Sequence, residues 1–149
     1  MTDFPARPPD AFVHEVQMRM SDIDLAQHVN NARYLSYIED ARVAFLRRIG
    51  MPVGDPELGR VLAHAEVDFI QPIGFDPEPV QVAVWVARIG SRAFTLCYQI
   101  CHHGTVRATA RTVMVSFDPR VGLARPMQEH ERTALEAALA GTSADGPSS

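Results

Sequence analysis

The stretch Ser21-Asp22-Ile23-Asp24-Leu25-Ala26-Gln27-His28-Val29-Asn30-Asn31-Ala32-Arg33-Tyr34 crowds two carboxylates, an imidazole and three side-chain amides into one short connection. Two kinds of work are open to them. Aspartate and asparagine satisfy orphan N–H groups, so Asp22 or Asp24 can cap a turn and Asn30 or Asn31 can cap a helix. Alternatively, exposed N–H groups at a helix start, reinforced by the helix dipole, can polarise a carbonyl or hold an oxyanion while a nearby carboxylate supplies the attack. A thioester suits that second arrangement, because a thiolate leaves readily and needs little acid assistance. One carboxylate with a pair of N–H donors is then sufficient, without metal or cofactor. His28 fits either reading, as a partner for substrate or water, or for a backbone group.

Other polar positions carry weaker signals. His64, Glu66 and Asp68 alternate along a strand at a spacing of about 6 to 7 Å, and outer strand faces are routinely polar, so a solvated face is expected rather than a metal site. Cys97, Cys101, His102 and His103 include ligand types but lack the Cys-x-x-Cys spacing of tetrahedral zinc, and read as strand residues followed by a turn. Arg42 falls in the apolar stripe of a helix, where its guanidinium must snorkel or pair with a carboxylate such as Glu39. Arg88 and Arg92 flank a glycine turn, where they can serve as charge-assisted donors to phosphates or as ordinary surface cations.

The elements that position these groups follow from periodicity. Residues 12–20 alternate loosely as a first strand and end in the turn-rich SDIDLAQ. From Asn30 to Ile49, Tyr34, Leu35, Ile38, Ala41, Phe45, Leu46 and Ile49 share one helical face, and Gly50 and Pro52 supply the stop. The period then switches to two. Strands are expected over 61–70, with Val61, Ala63, Ala65, Val67 and Phe69 on one half-buried face, then over 79–89, 93–100 and 105–117. Short turns at Ile89–Arg92 and at His103-Gly104 read as hairpins. Met127–Ala140 reads as a terminal helix ending at Gly141. Residues 1–10 and 141–149, rich in proline or in small polar residues, read as flexible tails around one folded unit of 11–140. One long helix ahead of a run of antiparallel strands predicts an α+β domain whose sheet curls around that helix.

Composition narrows the function classes. A chain of 149 residues with 46% hydrophobic and 21% charged residues is sized and balanced for one globular domain. A net charge of −4 argues against nucleic acid as the main partner. All fourteen basic residues are arginine, which removes Schiff-base and lysine-base chemistry. Cys97 and Cys101 lie too far apart along one strand to bridge each other. Free thiols, and an N-terminus with neither a signal pattern nor a membrane span, make the cytoplasm the expected compartment.

The pattern D-x-D-x-x-x-H-V-N-N-x-x-Y over Asp22–Tyr34, followed by a long helix, resembles the hotdog thioesterases of the 4-hydroxybenzoyl-CoA thioesterase type, and the likeness extends to the order of elements through residue 118. It implies a hotdog fold, an antiparallel sheet wrapped around a long central helix, and hydrolysis of a small-molecule acyl-CoA or acyl carrier protein thioester without a cofactor. It further implies that Asp24 is nucleophile or general base, that the backbone N–H near Asn31 polarises the thioester carbonyl, and that the site lies between subunits of a homodimer or homotetramer. Tyr34, Arg88 and Arg92 complete the expected set as substrate-binding positions. The segment DIDLAQHVNN is also similar to the plant acyl-carrier-protein thioesterases, whose D-x-N-x-H pattern matches at Asp24 and His28. Ala26 stands where their Asn would be, which leaves His28 as an auxiliary. The 4-hydroxybenzoyl type tends to carry Gly where Gln27 stands. Two rivals are a hotdog dehydratase or hydratase, which would rely on His28 with Asp24, and a non-catalytic acyl-CoA binding module.

Overall fold

The computed structural model describes residues 4–55 and 58–143, with side chains through Leu139. In chain order they form β1 (Phe12–Val16), a 3-10 turn (Met20–Asp22), α1 (Asn31–Arg48), β2 (Gly59–Phe69), β3 (Val80–Ile89), β4 (Ala93–His102), β5 (Thr105–Asp118), β6 (Leu123–Ala124) and α2 (Glu129–Ser143). All strand pairings are antiparallel, in the order β1-β3-β4-β5-β2, with the short β6 on β5. The first strand is shorter than its alternation predicts, ending at Val16 ahead of a 3-10 turn over residues 20–22.

Period two decides which residues meet α1. Val80, Val82, Val84 and Val86 of β3 and Phe94, Leu96, Tyr98 and Ile100 of β4 are buried in one cluster with Tyr34, Tyr37, Ile38, Ala41, Phe45 and Leu46 of the helix. Tyr37 and Arg42 are buried on α1, whereas Leu35, expected on the apolar face, is exposed. Arg42, expected to snorkel or to pair with a carboxylate such as Glu39, forms no ion pair with Glu39 among the described residues. Its charge lies instead near Tyr98, whose hydroxyl meets Thr112 Oγ1 at 2.7 Å. Burial raises the Tyr98 pKa, and Arg42 and the bond with Thr112 act against that rise.

Strand β2 departs from the simple alternation. A register shift between Leu62 and His64 leaves Ala63 as an extra residue, so Leu62 faces Met114, Ala65 faces Thr112 and Val67 faces Ala110. The inward set is therefore Arg60, Leu62, Ala65, Val67 and Phe69, not the uninterrupted series beginning at Val61. The strand stands at one end of the sheet, and most of its residues are exposed rather than half-buried.

Residues 4–10, expected as tail, lie against the outer face of the sheet, where Phe4 meets Trp85 edge-on at 5.9 Å beside Ala83 and Cys97. Helix α2 starts two residues later than expected and runs through Gly141 to Ser143. It is fastened by Glu131, which is fully buried and accepts from Arg125 at 3.0 Å, from Arg60 at 3.3 Å and from the Gln128 amide at 2.8 Å. The expected tail boundaries at 1–3 and 144–149 lie outside the described residues. No helix among the described residues is long and apolar enough to cross a membrane.

Candidate active site

The two aspartates of the Asp-x-Asp pair have different surroundings. Asp22 closes the 3-10 turn and is buried. Its Oδ2 accepts from Tyr37 Oη at 2.7 Å and from the Arg19 amide at 3.0 Å, and Arg33 Nε stands 3.7 Å from Oδ1. Burial, then the bond and charge of Asp22, hold the Tyr37 hydroxyl far above the usual phenol range. Asp22 is thus a fastening between turn and helix. Asp24, two residues on, is exposed, and its Oδ1 accepts from the Ala26 amide at 2.9 Å.

A tight loop sets the direction of Asp24. The Asp24 amide donates to the His28 carbonyl at 3.0 Å, and the Gln27 amide donates to the Asp24 carbonyl at 2.9 Å. Gln27 closes the loop at φ 68, in the left-handed region where glycine is easiest. Where the 4-hydroxybenzoyl type tends to carry Gly, Gln27 adopts the backbone conformation that glycine favours. Next, the Val29 amide donates to the Ile73 carbonyl at 2.8 Å, and His28 bridges Gly74. The loop is therefore held from below by residues 73–74.

At the helix start the choice between the two asparagines is resolved. Asn30 is the N-cap, accepting from the Ala32 amide at 2.9 Å, while its own amide donates to the Asp22 carbonyl at 2.8 Å. Asn31 is the first helical residue. Its N–H has no intrahelical acceptor by construction and no partner among the described residues.

Asp24, His28, Asn31 and Tyr34 line one cleft of about 260 Å³, and Phe69 and Pro72 form its opposite wall. Tyr34 is buried beneath the cleft, edge-on to Phe69 at 5.0 Å. Burial raises its pKa, while the charge of Arg107 and a backbone bond with Ile73 pull the other way. The opposite wall, residues 69–72, carries no polar motif and is not visible in the sequence as part of a site. Arg107 secures it, donating to the Pro72 carbonyl at 3.0 Å and to the His102 carbonyl at 3.3 Å.

Arg88 and Arg92 are not brought to this cleft within one chain. They line a separate groove with Ser91 and Thr95 beside the turn from β3 to β4. His64, Glu66 and Asp68 are exposed, with His64 Nε2 2.9 Å from Glu66 Oε1. Cys97 and Cys101 are free and buried, and burial raises both thiol pKa values.

Comparison with known proteins agrees with this architecture. A 1,4-dihydroxy-2-naphthoyl-CoA hydrolase from Rippkaea orientalis is 26% identical over 119 residues, spanning 75% of this chain and 86% of that protein. Among solved structures, a thioesterase from Thermus thermophilus, complexed with coenzyme A and zinc, is 29% identical with a TM-score of 0.74, over 85% of this chain and 92% of that one. A 1,4-dihydroxy-2-naphthoyl-CoA thioesterase from Synechocystis, 21% identical, shares the fold at a TM-score of 0.76 over 84% of this chain and 95% of that one. The six-stranded antiparallel sheet with one long helix fits the hotdog arrangement expected from the sequence. The thioesterase-like superfamily model matches residues 18–137, and the chain belongs to that superfamily.

Proposed function

We propose that this protein hydrolyses acyl-coenzyme A thioesters in the cleft of Asp24. The observation that carries the reading is the exposed Asp24 carboxylate on the same cleft wall as the first residues of α1, where the Asn31 N–H has no acceptor among the described residues. In this reading the Asn31 amide, aided by the helix dipole, receives the thioester oxygen as it gains negative charge. Asp24 either attacks the carbonyl carbon, expelling the coenzyme A thiolate and leaving an anhydride that water then cleaves, or it takes a proton from a water that attacks. Tyr34 and Phe69 give the acyl group an apolar floor, and His28 orders water or substrate at the rim. Neither route calls on a metal or cofactor.

The coenzyme A carrier is favoured by the relatives that act on or bind coenzyme A compounds. Arg88 and Arg92, remote from Asp24 in one chain, serve in this reading as phosphate contacts offered to a partner's cleft in a homodimer or homotetramer. The exposed edge strand β2, with Val61, Leu62 and Phe69 uncovered, supports such pairing. The test is thiol release from a panel of acyl-CoA esters by the wild type and by Asp24→Asn. Release that falls by about 10²-fold or more in the variant, with the fold intact, supports the reading. Hydration of enoyl-CoA without thiol release, or binding without turnover, would sink it.

A further inference from the structure

At the end of the sheet where β4 turns into β5, Asp76, His102 and His103 each offer a ligand atom, and these atoms lie within 4.8 Å of one another. We propose that these three side chains form a binding site for a divalent first-row transition cation, zinc foremost, which braces the wall behind the Asp24 cleft.

The local backbone presents both imidazoles at one place. His102 pairs with Thr105 across a two-residue turn, and the turn residues His103 and Gly104 have φ 54 and φ 71, the two left-handed positions of a type I′ hairpin. The two rings are held with centroids 4.2 Å apart. His102 is buried, and its Nε2 lies 3.2 Å from the Glu78 carbonyl. A carbonyl only accepts, so Nε2 carries the proton and Nδ1 keeps its lone pair, the arrangement by which an outer hydrogen bond prepares a metal-binding histidine. Asp76 is oriented in the same way, since its Oδ1 accepts from the Glu78 amide at 2.7 Å while Oδ2 meets His103 Nε2 at 2.7 Å.

Ligand type selects the cation. Two imidazoles and one carboxylate are poor company for calcium or magnesium, which take oxygen, and suit zinc with a water in the fourth position. Tetrahedral zinc at its usual bond lengths places ligand atoms about 3.3 Å apart. Side-chain rotation can supply the contraction, because the His103 and Asp76 side chains are 50% and 30% exposed and open to solvent. Binding replaces the His103 to Asp76 contact and uses each imidazole in its neutral form, through the ring nitrogen that bears the lone pair.

The location ties this cation to the cleft. Asp76 follows Ile73 and Gly74, which hold Val29 and His28 through a backbone bond and a bridge. Arg107 links the His102 carbonyl to the Pro72 carbonyl. A cation joining Asp76 to the β4–β5 turn therefore pins the segment on which the catalytic loop rests.

The experiment uses metal-free, tag-free protein titrated with zinc sulfate by calorimetry, with parallel thermal melts and far-UV circular dichroism. One zinc per chain and a raised Tm are expected. His103→Asn retains a residue suited to the left-handed turn, and Asp76→Asn retains the bond to the Glu78 amide, so both should fold. Each should weaken zinc binding by about tenfold or more and abolish the rise in Tm. His64→Asn, which removes a histidine that meets a carboxylate elsewhere on the surface, and Cys101→Ser should leave both readouts unchanged. No saturable uptake by the wild type, uptake that survives in both ligand variants, or uptake lost in His64→Asn or Cys101→Ser overturns the proposal.

Discussion

The hydroxyl of Tyr37 donates to Oδ2 of Asp22 at 2.7 Å, which binds the first carboxylate of the Asp-x-Asp pair to the middle of α1. Substituting either partner leaves a buried polar group short of its bond. Tyr37→Phe should lower stability by about 1–3 kcal/mol in urea denaturation. By contrast, Asp24→Asn should leave the urea midpoint nearly unchanged while removing thiol release. Equal destabilisation by the two substitutions would contradict this division of labour.

Buried Glu131 makes a different demand on solution conditions. Burial alone would raise its pKa, but the bond with Arg125, the Gln128 amide and the charges of Arg125 and Arg60 prevail and leave it lowered. A lowered folded-state pKa means stabilisation that is fully present above the unfolded carboxyl value and is lost as pH falls through the folded one. The wild type should therefore melt at progressively lower temperature on acidification below about pH 4.3. Glu131→Gln should lose about 3–5 kcal/mol at neutral pH, since two arginines would face a neutral amide, and should show a shallower acid dependence.

Gln27 holds φ 68 without the freedom of glycine. Left-handed backbone costs a residue with a side chain about 1–2 kcal/mol, part of which glycine returns through its greater freedom in the unfolded chain. Gln27→Gly should thus be neutral or stabilising by about 0.5 kcal/mol, with thiol release retained. Gln27→Val should destabilise the loop and reduce kcat, because a β-branched side chain resists that conformation.

If the phosphates of coenzyme A are held at the turn from β3 to β4, Arg88→Ala and Arg92→Ala should raise KM severalfold with kcat nearly unchanged. The loss should shrink at high salt, where the wild-type contact is itself screened. A fall in kcat at constant KM would assign the arginines elsewhere.

The exposed inward face of β2 predicts association. Leu62→Asp should shift the mass measured by light scattering toward that of one chain and should lower thiol release in step, if the cleft is completed by a partner. A wild type that already runs as one chain with full activity would refute the shared-site arrangement.

Much of this is legible in the sequence, and the exceptions have physical causes. The helix from Tyr34 to Leu46, with Arg42 in its apolar stripe, can be placed because helical periodicity is local, yet the burial of Tyr37 in place of Leu35 depends on where the sheet curves. Alternation places Ala65, Val67 and Phe69 of β2 on one face correctly but misassigns Val61 and Ala63, because one extra residue at Ala63 resets the period, and a bulge leaves no mark in composition. The Asp24 segment is visible because unusual residue types cluster there. Its opposite wall is not, because Phe69, Ile70, Gln71 and Pro72 read as ordinary strand end and loop until Tyr34 meets them. Asp76 cannot be joined to His102 and His103 for the same reason: it stands far from them along the chain, and only the fold brings them together.

The outer position of β2 also bears on how the protein behaves before it finds a partner. An uncovered strand of eleven residues invites indiscriminate stacking, the first step toward insoluble aggregates. Its kink at Ala63 and the run His64, Glu66, Asp68 on its outward side make a poor template for anything but a matching surface. Solubility in a crowded milieu is then guarded by the same short segment that admits a correct neighbour, and erasing those charges would exchange selectivity for precipitation.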